Sequence, residues 1–134
     1  DVYQALNLEK CYRIFVRSIK YKEDGVLIGE EHTYVITKND KVFNQILDLI
    51  KNSSSESLKV KDHVPNVINQ VTHHLQFDIK GSPYGSAEYS FKTNELLFTD
   101  DEVFREITNN DDFILDVILM KMDERFNEVI TGLK

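Results

Sequence analysis

The chain has a single cysteine, Cys11, so no intrachain disulfide can form and cysteine usage leaves the compartment open. Proline is also scarce, at two residues, and glycine is limited to five. That leaves little room for a phosphate-cradling loop. No P-loop, Gly-x-Gly-x-x-Gly, Gly-x-Ser-x-Gly, Cys-x-x-Cys or His-Glu-x-x-His pattern occurs. No apolar run approaches the roughly 20 residues of a membrane-spanning helix. Near the C-terminus the apolar run Phe113-Ile114-Leu115 is broken by Asp116. Basic residues are outnumbered, 16 against 23 acids, for a formal charge of −7. This balance argues against non-specific nucleic-acid binding, which needs a basic footprint, and against docking on anionic lipid by charge. It permits a basic protein partner or a bound cation, and solubility is its simplest consequence. The first residue is Asp1 rather than Met, which suggests that a signal peptide, a lipoprotein leader, a domain or a cloned tag was removed.

The 134 residues, 41% apolar and 29% charged, suit one globular domain spanning 1–134. Folding such a chain removes roughly two thirds of its unfolded surface.

The most telling stretch is Tyr34 to Asn52. Tyr34-Val35-Ile36 is aromatic or β-branched, as in strands. Thr37 is placed to cap a following helix, with Asp40 completing a variant capping box. Val42, Phe43, Ile46, Leu47, Leu49 and Ile50 then fall on one helical stripe, predicting a helix over about 38–52. Upstream, Val2, Ala5 and Leu6 suggest a helical turn, and residues 10–22 a long strand with Tyr12, Ile14 and Val16 on one face. Glu23-Asp24-Gly25 marks a turn. Val26 to Gly29 suits a short strand or hairpin arm, and 31–36 a strand.

Downstream, Ser53 to Ser57 predicts a loop, residues 58–62 a weak edge strand, and 63–70, with Pro65, an irregular connection. Leu75, Phe77 and Ile79 alternate with Gln76, Asp78 and Lys80 in a half-buried strand. After a Gly81–Gly85 turn, Ala87, Tyr89 and Phe91 alternate with Glu88, Ser90 and Lys92. Thr93-Asn94 turns the chain into a third strand, 95–98, completing an antiparallel meander. Thr99 to Glu102 signals a short helix carrying Val103, Phe104 and Ile107. A last helix is expected over about 112–131, burying Ile114, Val117, Ile118, Met122, Phe126 and Val129 and capped by Gly132. The order predicts an α+β fold: an antiparallel sheet of about five to six strands with helices packed on one face.

Val35-Ile36-Thr37 followed by Val42, Ile46 and Ile50, then Leu75-Gln76-Phe77-Asp78-Ile79, Tyr89-Ser90-Phe91 and Leu97-Phe98-Thr99, resembles small bacterial surface lipoproteins of uncharacterised function, mostly of Gram-positive type. The similarity spans about residues 10–107, and the closing helix predicted here is longer than in that group. The resemblance implies a leader peptide upstream of Asp1, a lipid anchor and a cell-surface location. It carries over no catalytic residue.

Candidate chemistry is sparse. His73 and His74 on one strand point to opposite faces, poor geometry for a shared metal, and no spacing ties His32 or His63 to them. Asp100, Asp101, Glu102, Asn109, Asn110, Asp111 and Asp112 offer oxygen donors for Ca²⁺ or Mg²⁺ but lack EF-hand spacing, and two helix N-termini account for them. Gly81 to Gly85 lies between antiparallel strands, where a nucleophile elbow does not belong. Cys11 has no histidine partner in sequence and suits a small buried side chain. Asn52-Ser53-Ser54 is a glycosylation acceptor only in a eukaryotic secretory protein.

The expected function is a non-catalytic binding or structural module, the soluble part of a bacterial exported protein, without metal or cofactor. The alternative is a cytoplasmic acidic immunity-type protein that neutralises a basic partner. The candidate binding surface is Tyr84 at the turn tip, flanked by Asp78 and Glu88 on outward strand faces. Tyr84 could instead cover the open end of the core.

Overall fold

A computed structural model describes residues 2–21, 27–59, 67, 70–82, 84–98 and 116–133. The chain opens with a helical turn, α1 (Val2–Ala5), and a 3-10 turn, Leu8–Lys10. Strands β1 (Cys11–Tyr21) and β2 (Leu27–Thr37) form an antiparallel pair. Helix α2 (Lys41–Lys51) leads to β3 (Ser55–Lys59). Then come β4 (His73–Ile79), β5 (Gly85–Ser90), β6 (Glu95–Phe98), β7 (Asp116–Lys121) and α3 (Glu124–Thr131).

The described strands make one sheet in the order β2-β1-β4-β5-β6-β7-β3, and every neighbouring pair is antiparallel. The class is α+β, with seven strands among the described residues where about five to six were expected. Helix α2 connects β2 at one sheet edge to β3 at the other, so it must cross a sheet face. That face carries Ile36, Ile14, Val16, Leu75, Phe77, Ala87, Tyr89, Leu96, Phe98, Ile118 and Met120, all buried. Their alternation along each strand supplies a continuous apolar surface. Helix α2 answers it with Phe43, Ile46, Leu47, Leu49 and Ile50, and α3 with Phe126 and Ile130. Phe126 meets Tyr89 edge-on at 5.2 Å. Leu6 closes over Gly85, where a Cβ would come within 2.6 Å of Leu6 Cδ2. The opposite face is divided. Leu97, Val117 and Leu119 are buried there too, whereas the β1, β2 and β4 part is partly exposed and polar.

Several sequence expectations need correction. Residues 116–121 are a strand, not the middle of a long helix. Val117, Ile118, Leu119 and Met120 are all buried, and a strand between β6 and β3 buries consecutive residues on its two faces. The closing helix starts only after Asp123, whose carboxylate accepts from the Arg125 N–H at 2.8 Å. At α2, Asp40 rather than Thr37 holds the cap position. Its carboxylate reaches back to the Thr37 N–H at 2.8 Å, and the helix begins at Lys41. Tyr12 does not share a face with Ile14. A register shift between Cys11 and Arg13 lets Cys11 and Ile14 both turn inward, and Tyr12 is exposed. Phe91 lies in the β5–β6 turn and is exposed rather than inward. The expected edge strand exists but begins at Ser55, inside the expected loop. Residues 27–37 form one long strand with two register irregularities.

Outside the described residues lie the Glu23–Gly25 turn, most of 60–69, the short helix after Thr99, the two acidic clusters and the start of the expected last helix.

Candidate functional site

The three residues expected to form a binding surface occupy different settings. Asp78 is buried on the sheet face opposite α2 and α3, where Arg13 Nε donates to its Oδ2 at 2.7 Å and Gln76 Nε2 to its Oδ1 at 2.9 Å. Burial opposes its ionisation, but these two hydrogen bonds and the Arg13 charge outweigh it and hold the carboxyl below its usual range. Its charge is therefore engaged within the fold. Glu88 is half-buried on the same face, opposite His74 in the β4–β5 register. Tyr84 is 59% exposed, so it does not seal the core as the simpler expectation had it. Around Asp78, the Arg13 and Arg17 guanidiniums lie 4.8 and 4.9 Å from the Phe15 ring centroid. Arg17 Nη1 also donates to Gln76 Oε1 at 3.4 Å. This network ties β1 to β4.

The nucleophilic and basic side chains are placed for structure. Cys11 is buried, and desolvation raises its thiol above the ordinary value. His73 and His74 do lie on opposite faces. His73 Nδ1 is 2.9 Å from Thr72 Oγ1, its ring tilts against Tyr89, and burial lowers its pKa. Tyr89 is fully buried and donates to Asn94 Oδ1 at 2.5 Å, while desolvation drives its pKa far up. Asn94 takes φ 53°, a conformation asparagine tolerates, and donates to the Met122 and Asp123 carbonyls. That joins the β5–β6 turn to the start of α3. Among the described residues, no three His, Cys, Asp or Glu side chains are grouped to hold a metal ion, and no helix is long and apolar enough to cross a membrane.

The open feature is strand β2. It ends the sheet, and its outer side pairs with no other strand among the described residues. Ile19 of β1 donates to the Thr72 carbonyl on the β4 side, so odd residues of β1 bond toward β4 and even ones toward β2. Ile14 and Val16 therefore pair with Ile36 and Tyr34. The N–H and C=O groups of Thr33, Val35 and Thr37 are left on the outer edge. Asp40 takes the Thr37 N–H, and the Thr37 carbonyl accepts from the Asp40 N–H at 2.9 Å. Thr33 and Val35 keep an open edge, and Val35 is 53% exposed.

Edge strands are commonly blunted by shortness, lysine, proline or bulges. At the far edge, β3 has five residues and includes Lys59. By contrast β2 runs eleven residues without lysine or proline, and its two glutamates, Glu30 and Glu31, and its irregularities lie before His32. Beside the regular part runs a groove of about 640 Å³. Tyr34, Val42, Val129 and Leu133, all packed on the core, give it an apolar floor. Among the described residues, Asp40 and Glu128 supply its charges and no lysine or arginine lines it. The last turn of α3, which also has no basic residue, ends at the groove. Its carbonyls carry the negative end of the helix dipole. A second depression, about 340 Å³ beside Tyr3, Asn7, Glu9 and Lys51, is smaller and holds a Lys51–Tyr3 cation–π contact at 5.3 Å.

Sequence reasoning missed this edge. Its signal was the uncharged β-branched and aromatic run Thr33-Tyr34-Val35-Ile36-Thr37, but edge position depends on strand order, which periodicity does not give. Comparison with protein-family models, curated proteins and solved structures returned no match.

Proposed function

We propose that this chain is a non-catalytic binding module that recognises a protein partner along β2 and its groove, as the soluble part of an exported, lipid-anchored bacterial surface protein. One observation carries the binding reading: the unblunted edge at Thr33 and Val35 beside an apolar, acid-rimmed groove. Such an edge offers a partner ready main-chain hydrogen bonds, and the adjoining groove offers side-chain pockets. Support for the surface location is the resemblance of residues 10–107 to surface lipoproteins. Photo-crosslinking in producing cells, with a benzophenone amino acid at Val35 or at exposed Lys92, tests the binding reading. One discrete adduct from position 35 and none from position 92 is expected. Equal labelling from both, or none from either, would contradict it.

The charge of −7 and the acids at the groove also favour a second reading, an immunity-type protein that masks a basic toxin. Protection of cells that co-express a toxin encoded next to this gene would select it.

A further inference from the structure

We infer that the occupant of the groove is an extended, basic segment of a protein partner, added to the sheet alongside β2; this rests on the binding reading above and specifies its partner. Three observations define the segment.

First, the free N–H and C=O groups of Thr33 and Val35 alternate with inward-bonded neighbours, the pattern that a further strand satisfies and that a helix or a small molecule does not. Second, residues of an added strand point alternately to the two sheet faces. Those on the helix side enter the groove over Tyr34, Val42, Val129 and Leu133, which favours apolar side chains there. On the other side they lie along exposed Val35, next to the Phe15 ring that Val35 opposes in the β1–β2 register. Third, the groove's charges among the described residues are Asp40, Glu128 and the carbonyl end of α3. Lys38 and Lys41 are exposed but do not line it. A lysine or arginine among the segment's residues gains a partner there, whereas an acidic residue meets repulsion.

The same charges oppose a second copy of this chain as occupant. Pairing β2 with β2 would bring two acid-rimmed grooves together on molecules of charge −7 each.

Selection from a phage-displayed library of random peptides about ten residues long, enough to span the open edge at about 3.3 Å per residue, tests the inference on the whole chain. The recovered peptides are synthesised and titrated against wild type, Val35→Pro and Glu128→Lys. Proline is tolerated where an edge N–H faces outward, so Val35→Pro removes the donor while leaving the β1 pairing intact. A melting curve for each variant verifies folding, and a peptide N-methylated at the paired positions gives the same test on unaltered protein.

Peptides of alternating apolar and Lys/Arg residues are expected. Val35→Pro and N-methylation should weaken them by at least about tenfold, and Glu128→Lys by about fivefold or more, with the Glu128 effect shrinking in high salt. Enriched peptides that bind Val35→Pro as well as wild type, or that are acidic, would overturn strand addition by a basic segment and leave the binding module standing on another surface. A library yielding no binder would overturn both. A concentration-dependent dimer in sedimentation, abolished by Val35→Pro, would replace the partner segment with a second copy.

Discussion

The Arg13 guanidinium meets the Asp78 carboxylate at 2.7 Å across the β1–β4 pair, with Arg13 partly exposed and Asp78 buried. The two ends are therefore not equivalent. Arg13→Ala leaves a buried carboxylate with Gln76 as its remaining partner and should destabilise by about 1–3 kcal/mol. Asp78 titrates below its usual range in the folded state and near pH 4 when unfolded. Its contribution is thus complete above about pH 4 and disappears as pH falls through the folded value. Asp78→Asn should therefore differ most from wild type near neutral pH and converge with it in acid. Parallel stability curves from pH 7 to 2 would show that the pair carries no linkage.

Helix α2 spans the sheet on one stripe. Ile46 is fully buried, while Lys41 and Asn44 face solvent. Ile46→Ala should cost about 2–5 kcal/mol. Lys41→Ala and Asn44→Ala should stay within about 0.5 kcal/mol. Denaturant midpoints decide, and equal midpoints would mean the helix face is misplaced.

Gly85 is fixed by sterics, because Leu6 occupies the space its Cβ would need. Gly85→Ala should destabilise by about 1–3 kcal/mol through overpacking. In a Leu6→Ala background the added methyl enters vacated space, so the double variant should be more stable than the two single losses summed. Strict additivity in a double-mutant cycle would contradict the contact.

Tyr84 projects from the β4–β5 turn with most of its surface in water. Tyr84→Ala should leave the melting midpoint nearly unchanged, within about 0.5 kcal/mol. A large loss would restore it as a cover for the core. Its original pairing with Asp78 as a partner surface is weakened by the engagement of Asp78 with Arg13 and Gln76.

Elements whose pattern is local were legible in the sequence. The α2 stripe from Phe43 to Ile50 and the alternation of Leu75, Phe77 and Ile79 match the structure because one period describes each of them. Val117-Ile118-Leu119-Met120 was not legible. Four consecutive apolar residues satisfy a buried helix or a two-sided strand equally, and only pairing with β6 and β3 decides. The bulge at Tyr12 was hidden for a related reason, since one extra residue reverses facing without altering composition. The candidate site was hardest to see. Tyr34, Val42 and Val129 come from three elements, and only the tertiary fold makes them one groove.

Strand β2 presents an open edge at Thr33 and Val35. Residue-resolved amide hydrogen exchange on the protein alone tests it most directly. Tyr34 and Ile36, bonded to β1, should be strongly protected, whereas Thr33 and Val35 should exchange close to the rate of an unstructured chain. Thr37, whose N–H donates to Asp40, should fall between them. That alternation is the predicted result. Protection of Thr33 and Val35 equal to that of Tyr34 would contradict an open edge, and with it the binding function built on it.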